Sequence, residues 1–97
     1  MPTRDVAASF WRDWDQLSDQ QKQQFLTALR KFIEDLDAAG AFRRGLRVKA
    51  VERTPGVYEL TWAKDGRATF QFGRSARPGH THIRWRRIGT HEILDRP

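Results

Sequence analysis

The apolar residues of this chain change their spacing near Gly45. Upstream they recur at intervals of three and four, and downstream at every second position. Such a switch puts an amphipathic helix in front of half-buried strands and confines the chain to the α+β class. Ser18-Asp-Gln-Gln21 is a capping box, so a helix is expected to start there. Phe25, Leu26, Leu29, Phe32, Ile33 and Leu36 then form one helical stripe, and Gly40 suits its end. Phe10, Trp14 and Leu17 share a face upstream, so Ala8 to Leu17 reads as a shorter helix and the pair as a helical hairpin. Thr3 to Ala7 leaves room for a short N-terminal edge strand.

Beyond Gly45, Leu46, Val48 and Ala50 alternate with Arg47 and Lys49, and Thr54-Pro55-Gly56 signals a turn. Tyr58, Leu60 and Trp62 alternate with Glu59 and Thr61. Lys64-Asp65-Gly66 can serve as a three-residue hairpin loop before the alternation of Ala68, Phe70 and Phe72. That loop sets Thr61 opposite Thr69 and Glu59 opposite Gln71. The stretch from Gly73 to Gly79 reads as a polar loop carrying Arg74 and Arg77. From His82 a last strand alternates Ile83 and Trp85 with Arg84 and Arg86 and ends near Ile88-Gly89. The expected architecture is an N-terminal helical hairpin packed on one face of a four-stranded antiparallel meander, in a single domain spanning residues 1–97.

Charge divides at nearly the same place as the period. Met1 to Phe42 carries five basic against seven acidic residues; Arg43 to Pro97 carries thirteen against five. The overall charge of +6 therefore belongs to the second half, and a polyanion, most simply nucleic acid, is the partner such a field favours. The absence of cysteine excludes a disulfide scaffold and thiolate metal sites. With no signal peptide, lipidation motif or membrane-spanning apolar run in the sequence, a soluble cytoplasmic protein is expected.

If the apolar positions of the strands face the helices, the other face carries Arg47, Lys49, Glu59, Thr61, Arg67, Thr69, Gln71, His82, Arg84 and Arg86. Most wet sheet faces are simply solvated. Here the excess of arginine over carboxylate favours an anion, because like charges held together cost stability unless something compensates them. Among the histidines, His80 and His82 sit at a loop edge, and His91 follows the last strand. Neither cysteine nor an HxxxH helix accompanies them, so no metal site and no cofactor is expected.

Gly45-Leu-Arg-Val-Lys49, Gly56-Val-Tyr-Glu-Leu60 and Gly66-Arg-Ala-Thr-Phe70, in this order, resemble the core of RelE/HigB-type toxins of bacterial toxin-antitoxin systems. Phe10-x-Arg-Asp, Leu17-Ser18 with its helix, and the closing Gly89-Thr-His91 resemble the same RelE/ParE superfamily. Several relatives carry a Tyr or Phe shortly after the C-terminal position, where this chain has Glu92, Ile93 and Leu94. The resemblance implies a helical hairpin on a small sheet and commonly a ribosome-dependent endoribonuclease that cuts mRNA in the decoding site. By that analogy Arg67 contacts the scissile phosphate, Arg47 and Lys49 hold RNA, Glu59 matches a base used by some members, and His91 falls near the C-terminal acid or phosphate ligand. A cognate antitoxin is the implied protein partner, mRNA on the ribosome the implied substrate.

Metal-independent RNA cleavage requires attack of the 2′-OH on its own phosphate, with a base at the hydroxyl, cations at the phosphate and an acid at the leaving 5′ oxygen. Arg67, helped by Arg84 or Arg86, suits the cationic role, with His82 beside them. His91 and Glu59 are the acid and base candidates, and their roles could be reversed. Two other readings keep the fold: a ParE-like inhibitor of DNA gyrase, and a non-catalytic basic module that binds nucleic acid or the ribosome.

Overall fold

A computed structural model describes residues 3–38, 41–73 and 81–97. Gly40, Arg74, Arg77 and His80, which the sequence reading places at a helix end and in a polar loop, lie outside the described residues. The elements are β1 (Thr3–Val6), α1 (Ala8–Trp14), α2 (Asp19–Asp37), a 3-10 turn (Arg44–Leu46), β2 (Lys49–Ala50), β3 (Tyr58–Thr61), β4 (Gly66–Gly73), β5 (His82–Thr90) and a second 3-10 turn (His91–Asp95).

The capping box forms as the sequence predicts. The Ser18 hydroxyl accepts the Gln21 N–H at 3.1 Å, and the Gln21 side-chain oxygen accepts the Ser18 N–H at 2.8 Å. The shorter helix differs from expectation. It stops at Trp14, because the N–H groups of Gln16 and Leu17 turn back onto the carbonyls of Asp13 and Trp14 and close a tight corner before Ser18. It is also less a hairpin arm than a segment pinned to β5. The Ser9 hydroxyl donates to the Arg86 carbonyl at 2.7 Å, and Asp13 accepts the Ile88 N–H at 3.1 Å and pairs with Arg87 at 2.7 Å.

The sheet has five strands in the order β1-β5-β4-β3-β2. The meander of β2 to β5 is antiparallel, as expected, but β1 joins β5 in parallel, so the sheet is mixed rather than four-stranded and antiparallel. A parallel pair needs a long crossover, and here everything from α1 to β4 supplies it. One sheet face packs against the helices through interlocked rings. Phe32 is edge-on to Phe70 at 5.0 Å between centroids, and Phe25 to Trp85 at 5.6 Å. The α2 stripe is wider than this core. Phe25, Ala28 and Phe32 are buried, whereas Leu26 keeps 43% of its surface exposed.

Three local departures set the shape of the opposite face. The expected strand from Leu46 shrinks to Lys49–Ala50, because Arg44–Leu46 makes a 3-10 turn and Arg47 takes a left-handed conformation with φ 48°. The β3–β4 register pairs Glu59 with Thr69 and Thr61 with Arg67, two residues from the expected one. The parity of the pleat is preserved, so each side chain keeps its face. The shifted turn, closed by the Trp62 N–H on the Gly66 carbonyl at 3.1 Å, folds the Trp62 indole over Gly66, where a Cβ would lie 2.5 Å from the ring. In β5, Thr69 faces Arg87 and Phe70 faces Trp85, so Arg86 is an extra residue, and this bulge lets Ile88 return to the core after two consecutive arginines. Phe72, expected inside, is 45% exposed and lies edge-on to Tyr58.

The far face is not open along its whole length. The C-terminal 3-10 turn seats Ile93 on Gly89, and the tail brings the Pro97 carbonyl to the Thr69 hydroxyl at 3.1 Å and to Arg86 Nε at 3.0 Å. Thr69, under the tail, is buried, and so is Glu59 on β3.

Candidate functional site

The β3–β4 hairpin and the end of β5 build the site. Because Gly66 pairs with Thr90, the residues just outside that pair, Asp65 and His91, fall beside each other. His91 Nδ1 lies 2.5 Å from Asp65 Oδ1, and the His91 backbone N–H reaches the same oxygen at 3.5 Å. The hydrogen bond from its Nδ1–H to Asp65, reinforced by the carboxylate's charge, holds the His91 imidazole above its ordinary value of 6.5, and reciprocally His91 holds the Asp65 carboxyl below its ordinary value. Both side chains are more than half exposed, so the pair is a wet one with Nε2 left as the imidazole's other donor.

Glu59, on β3, is the opposite case. Its carboxylate is buried, with Lys49 Nζ and Arg67 Nε each 3.9 Å from Oε1. This diagonal follows from the register, in which Lys49 faces Glu59 across β2–β3 and Arg67 sits two pairs further along β3–β4, on the same face. The Arg67 guanidinium is fixed by its own turn, its Nη1 donating to the Gly66 carbonyl at 2.9 Å and to those of Ala63 and Lys64 at 3.4 Å. Lys49, Glu59, Arg67 and His91 line one cleft of about 600 Å³, closed on one side by Leu94. Such a cleft offers a phosphate a fixed guanidinium and a mobile ammonium, with an imidazole and a carboxylate able to exchange protons.

The other expected residues lie elsewhere. Arg47, on its left-handed turn, lines a neighbouring cleft. Arg84 pairs with Asp5 of β1 at 3.0 Å, and the Gln71–Arg84 register places it four residues along β4 from Arg67, about 13 Å at strand rise. His82 Nδ1 meets the Thr3 hydroxyl at 2.7 Å, and its Nε2 lies 3.7 Å from Asp5. Arg86 is held by Gln71 at 2.5 Å and by the Pro97 carbonyl. The structure thus groups Arg67, Glu59, His91 and Lys49, and commits Arg84, Arg86 and His82 to strand and tail contacts.

Asp65 is the site residue that sequence reasoning missed. In Lys64-Asp65-Gly66 it reads as an ordinary turn former, and only the β4–β5 register reveals its neighbour. Among the described residues, no three histidine, cysteine or carboxylate side chains come together in a way that could hold a metal ion, and no helix is long and apolar enough to cross a membrane.

No family model matches the sequence, and no curated protein matches it. Solved structures do match in fold. A copper-bound mutant toxin from Helicobacter pylori superposes with a TM-score of 0.68 at 16% identity, covering 97% of this chain and 99% of that one. The E. coli DinJ-YafQ toxin-antitoxin complex gives 0.65 at 13% identity, covering 96% of each chain, and YafQ from E. coli gives 0.64 at 12%, covering 97% and 98%. At these identities the likeness is one of fold, and it covers nearly the whole of each chain: this chain shares the fold of these toxins.

Proposed function

We propose that this protein is the toxin of a type II toxin-antitoxin system and acts as a metal-independent, ribosome-dependent mRNA endoribonuclease, with a cognate antitoxin as its protein partner. The observation that carries the reading is the convergence of Arg67, Glu59, Lys49 and the Asp65-supported His91 on one cleft of a toxin fold. The E. coli DinJ-YafQ complex is the precedent for the antitoxin.

In this reading Arg67 and Lys49 bind the scissile phosphate and stabilise the charge that builds on it. Glu59 removes the proton of the 2′-hydroxyl. The new bond from the 2′ oxygen to phosphorus closes a 2′,3′-cyclic phosphate as the bond to the 5′ oxygen breaks. His91, kept protonated by Asp65, gives its Nε2 proton to that leaving oxygen. Positioning of the strand by the ribosome supplies the in-line geometry.

The test is to add purified protein to a translating extract and map mRNA 5′ ends, beside Arg67→Ala and a ribosome-free control. Codon-phased cuts that require both the ribosome and Arg67 are expected. Intact mRNA from folded protein overturns the nuclease and turns attention to gyrase inhibition, which a DNA supercoiling assay reads directly.

A further inference from the structure

Arg67 is a wall between two clefts. Beyond it, on the side away from Glu59 and His91, a second concavity of about 500 Å³ opens between α2, the Arg44–Leu46 turn and the β3–β4 turn. Lys31, Arg47 and Lys64 line it together with Arg67, and no aspartate or glutamate does. Lys31, Arg47 and Lys64 are exposed and make no ion pair among the described residues. Arg43, at its edge, is already neutralised by Asp35 at 2.8 Å and Glu34 at 3.1 Å. Uncompensated cations gathered in a hollow raise the local concentration of anions. Arg47 adds an independent sign, because its left-handed backbone is one that glycine or asparagine adopts far more readily, and such residues cluster where a ligand is held.

We propose that this second cleft is a phosphate subsite for the same RNA strand. It holds a backbone phosphate flanking the scissile one, through Lys31, Lys64 and Arg47, as the strand passes over Arg67. The inference rests on the nuclease reading and adds to it a binding site drawn partly from α2, in the acidic half of the chain. Lys31 and Lys64 act here as binding residues and touch no reacting atom.

The experiment measures binding of a mixed-sequence single-stranded 2′-O-methyl RNA, which cannot be cut, over a series of salt concentrations. It compares the wild-type protein, the Lys31→Gln/Lys64→Gln double variant, Arg47→Gly, and Arg30→Gln as a control on an exposed part of α2 outside the cleft. The double variant is expected to bind several-fold more weakly, with a log-log salt slope shallower by about 0.7 for one lost phosphate contact, while Arg30→Gln keeps the wild-type slope. Arg47→Gly, which suits the left-handed backbone, is expected to weaken binding with no fall in Tm. A wild-type slope in the double variant overturns the subsite and leaves the nuclease standing if mRNA is still cut. A reduced slope in a protein that leaves mRNA intact overturns the nuclease and, with it, the placement of this phosphate beside a scissile one, leaving a plain RNA-binding cleft. Failure of the wild-type protein to bind the RNA at low salt overturns the subsite.

Discussion

The two ends of the β4–β5 ribbon carry the same three residue types and use them in opposite ways. At one end stand His91, Asp65 and Arg67; at the other, His82, Asp5 and Arg84. His82 has both ring nitrogens near partners on β1, the Thr3 hydroxyl and the Asp5 carboxylate, and Arg84 is neutralised by the same Asp5. The trio ties a parallel edge strand to the sheet. At the other end Asp65 engages one ring nitrogen of His91, Nδ1, and Arg67 rests on neutral carbonyls beside a buried carboxylate on a cleft wall. The difference teaches that a histidine, an aspartate and an arginine can serve a ligand only where donors and charge are left unspent toward a cavity.

The largest effect that sharpens this contrast is on cleavage itself. His91→Ala is expected to slow mRNA cutting by about 10²–10⁴-fold, the range for loss of a general acid, while His82→Ala cuts at close to the wild-type rate. Primer-extension rates on programmed ribosomes read both, and equal losses would break the distinction between the two ends. Next comes the arginine pair. Arg67→Ala is expected to lose about 10²–10³-fold, with some fall in Tm because the buried Glu59 carboxylate loses a neighbouring cation, whereas Arg84→Ala retains cleavage.

Smaller and more diagnostic is Asp65→Asn. Without the hydrogen bond and charge of Asp65, the His91 pKa falls back toward 6.5, so the alkaline limb of the cleavage profile moves to lower pH. Ring-proton NMR titration of His91 checks this directly, and an unmoved His91 midpoint in the variant would sink the pairing. The same linkage has a stability side. The raised His91 value stabilises the fold below 6.5 and is lost as pH rises through the folded value. The lowered Asp65 value stabilises it above 3.8 and is lost as pH falls through the folded value, so the pair supports the fold fully only between those limits. The smallest effect belongs to the tethering end. Asp5 is half exposed, and Asp5→Ala is expected to cost less than about 1 kcal/mol, seen as faster amide exchange along β1 with cleavage intact. A large fall in Tm would show that the edge strand depends on Asp5 far more than an exposed ion pair allows.

Much of this was legible in the order of the residues. The capping box at Ser18, the turn at Gly56 with φ 82°, and the alternation through Leu60, Ala68 and Phe70 are local signals, and each appears where the sequence puts it. Arg67, Glu59 and Lys49 share a cleft because they lie on one pleat face of neighbouring strands, a matter of parity that survived a two-residue error in register. What parity cannot express was missed. The left-handed step at Arg47 and the extra residue at Arg86 break the alternation on which strand reading depends.

The sequence by itself therefore determined the α+β class, the antiparallel meander and the sign of the charge on its far face, because these follow from nearest-neighbour chemistry repeated along the chain. Only the tertiary structure decided that Asp65 meets His91, that Asp5 claims Arg84 and His82, and that Lys31 joins Lys64 across a cleft. Each of these joins residues 26 or more positions apart in the chain, and which of many possible long-range neighbours is realised depends on strand register and helix docking, energies that belong to the packed core as a whole.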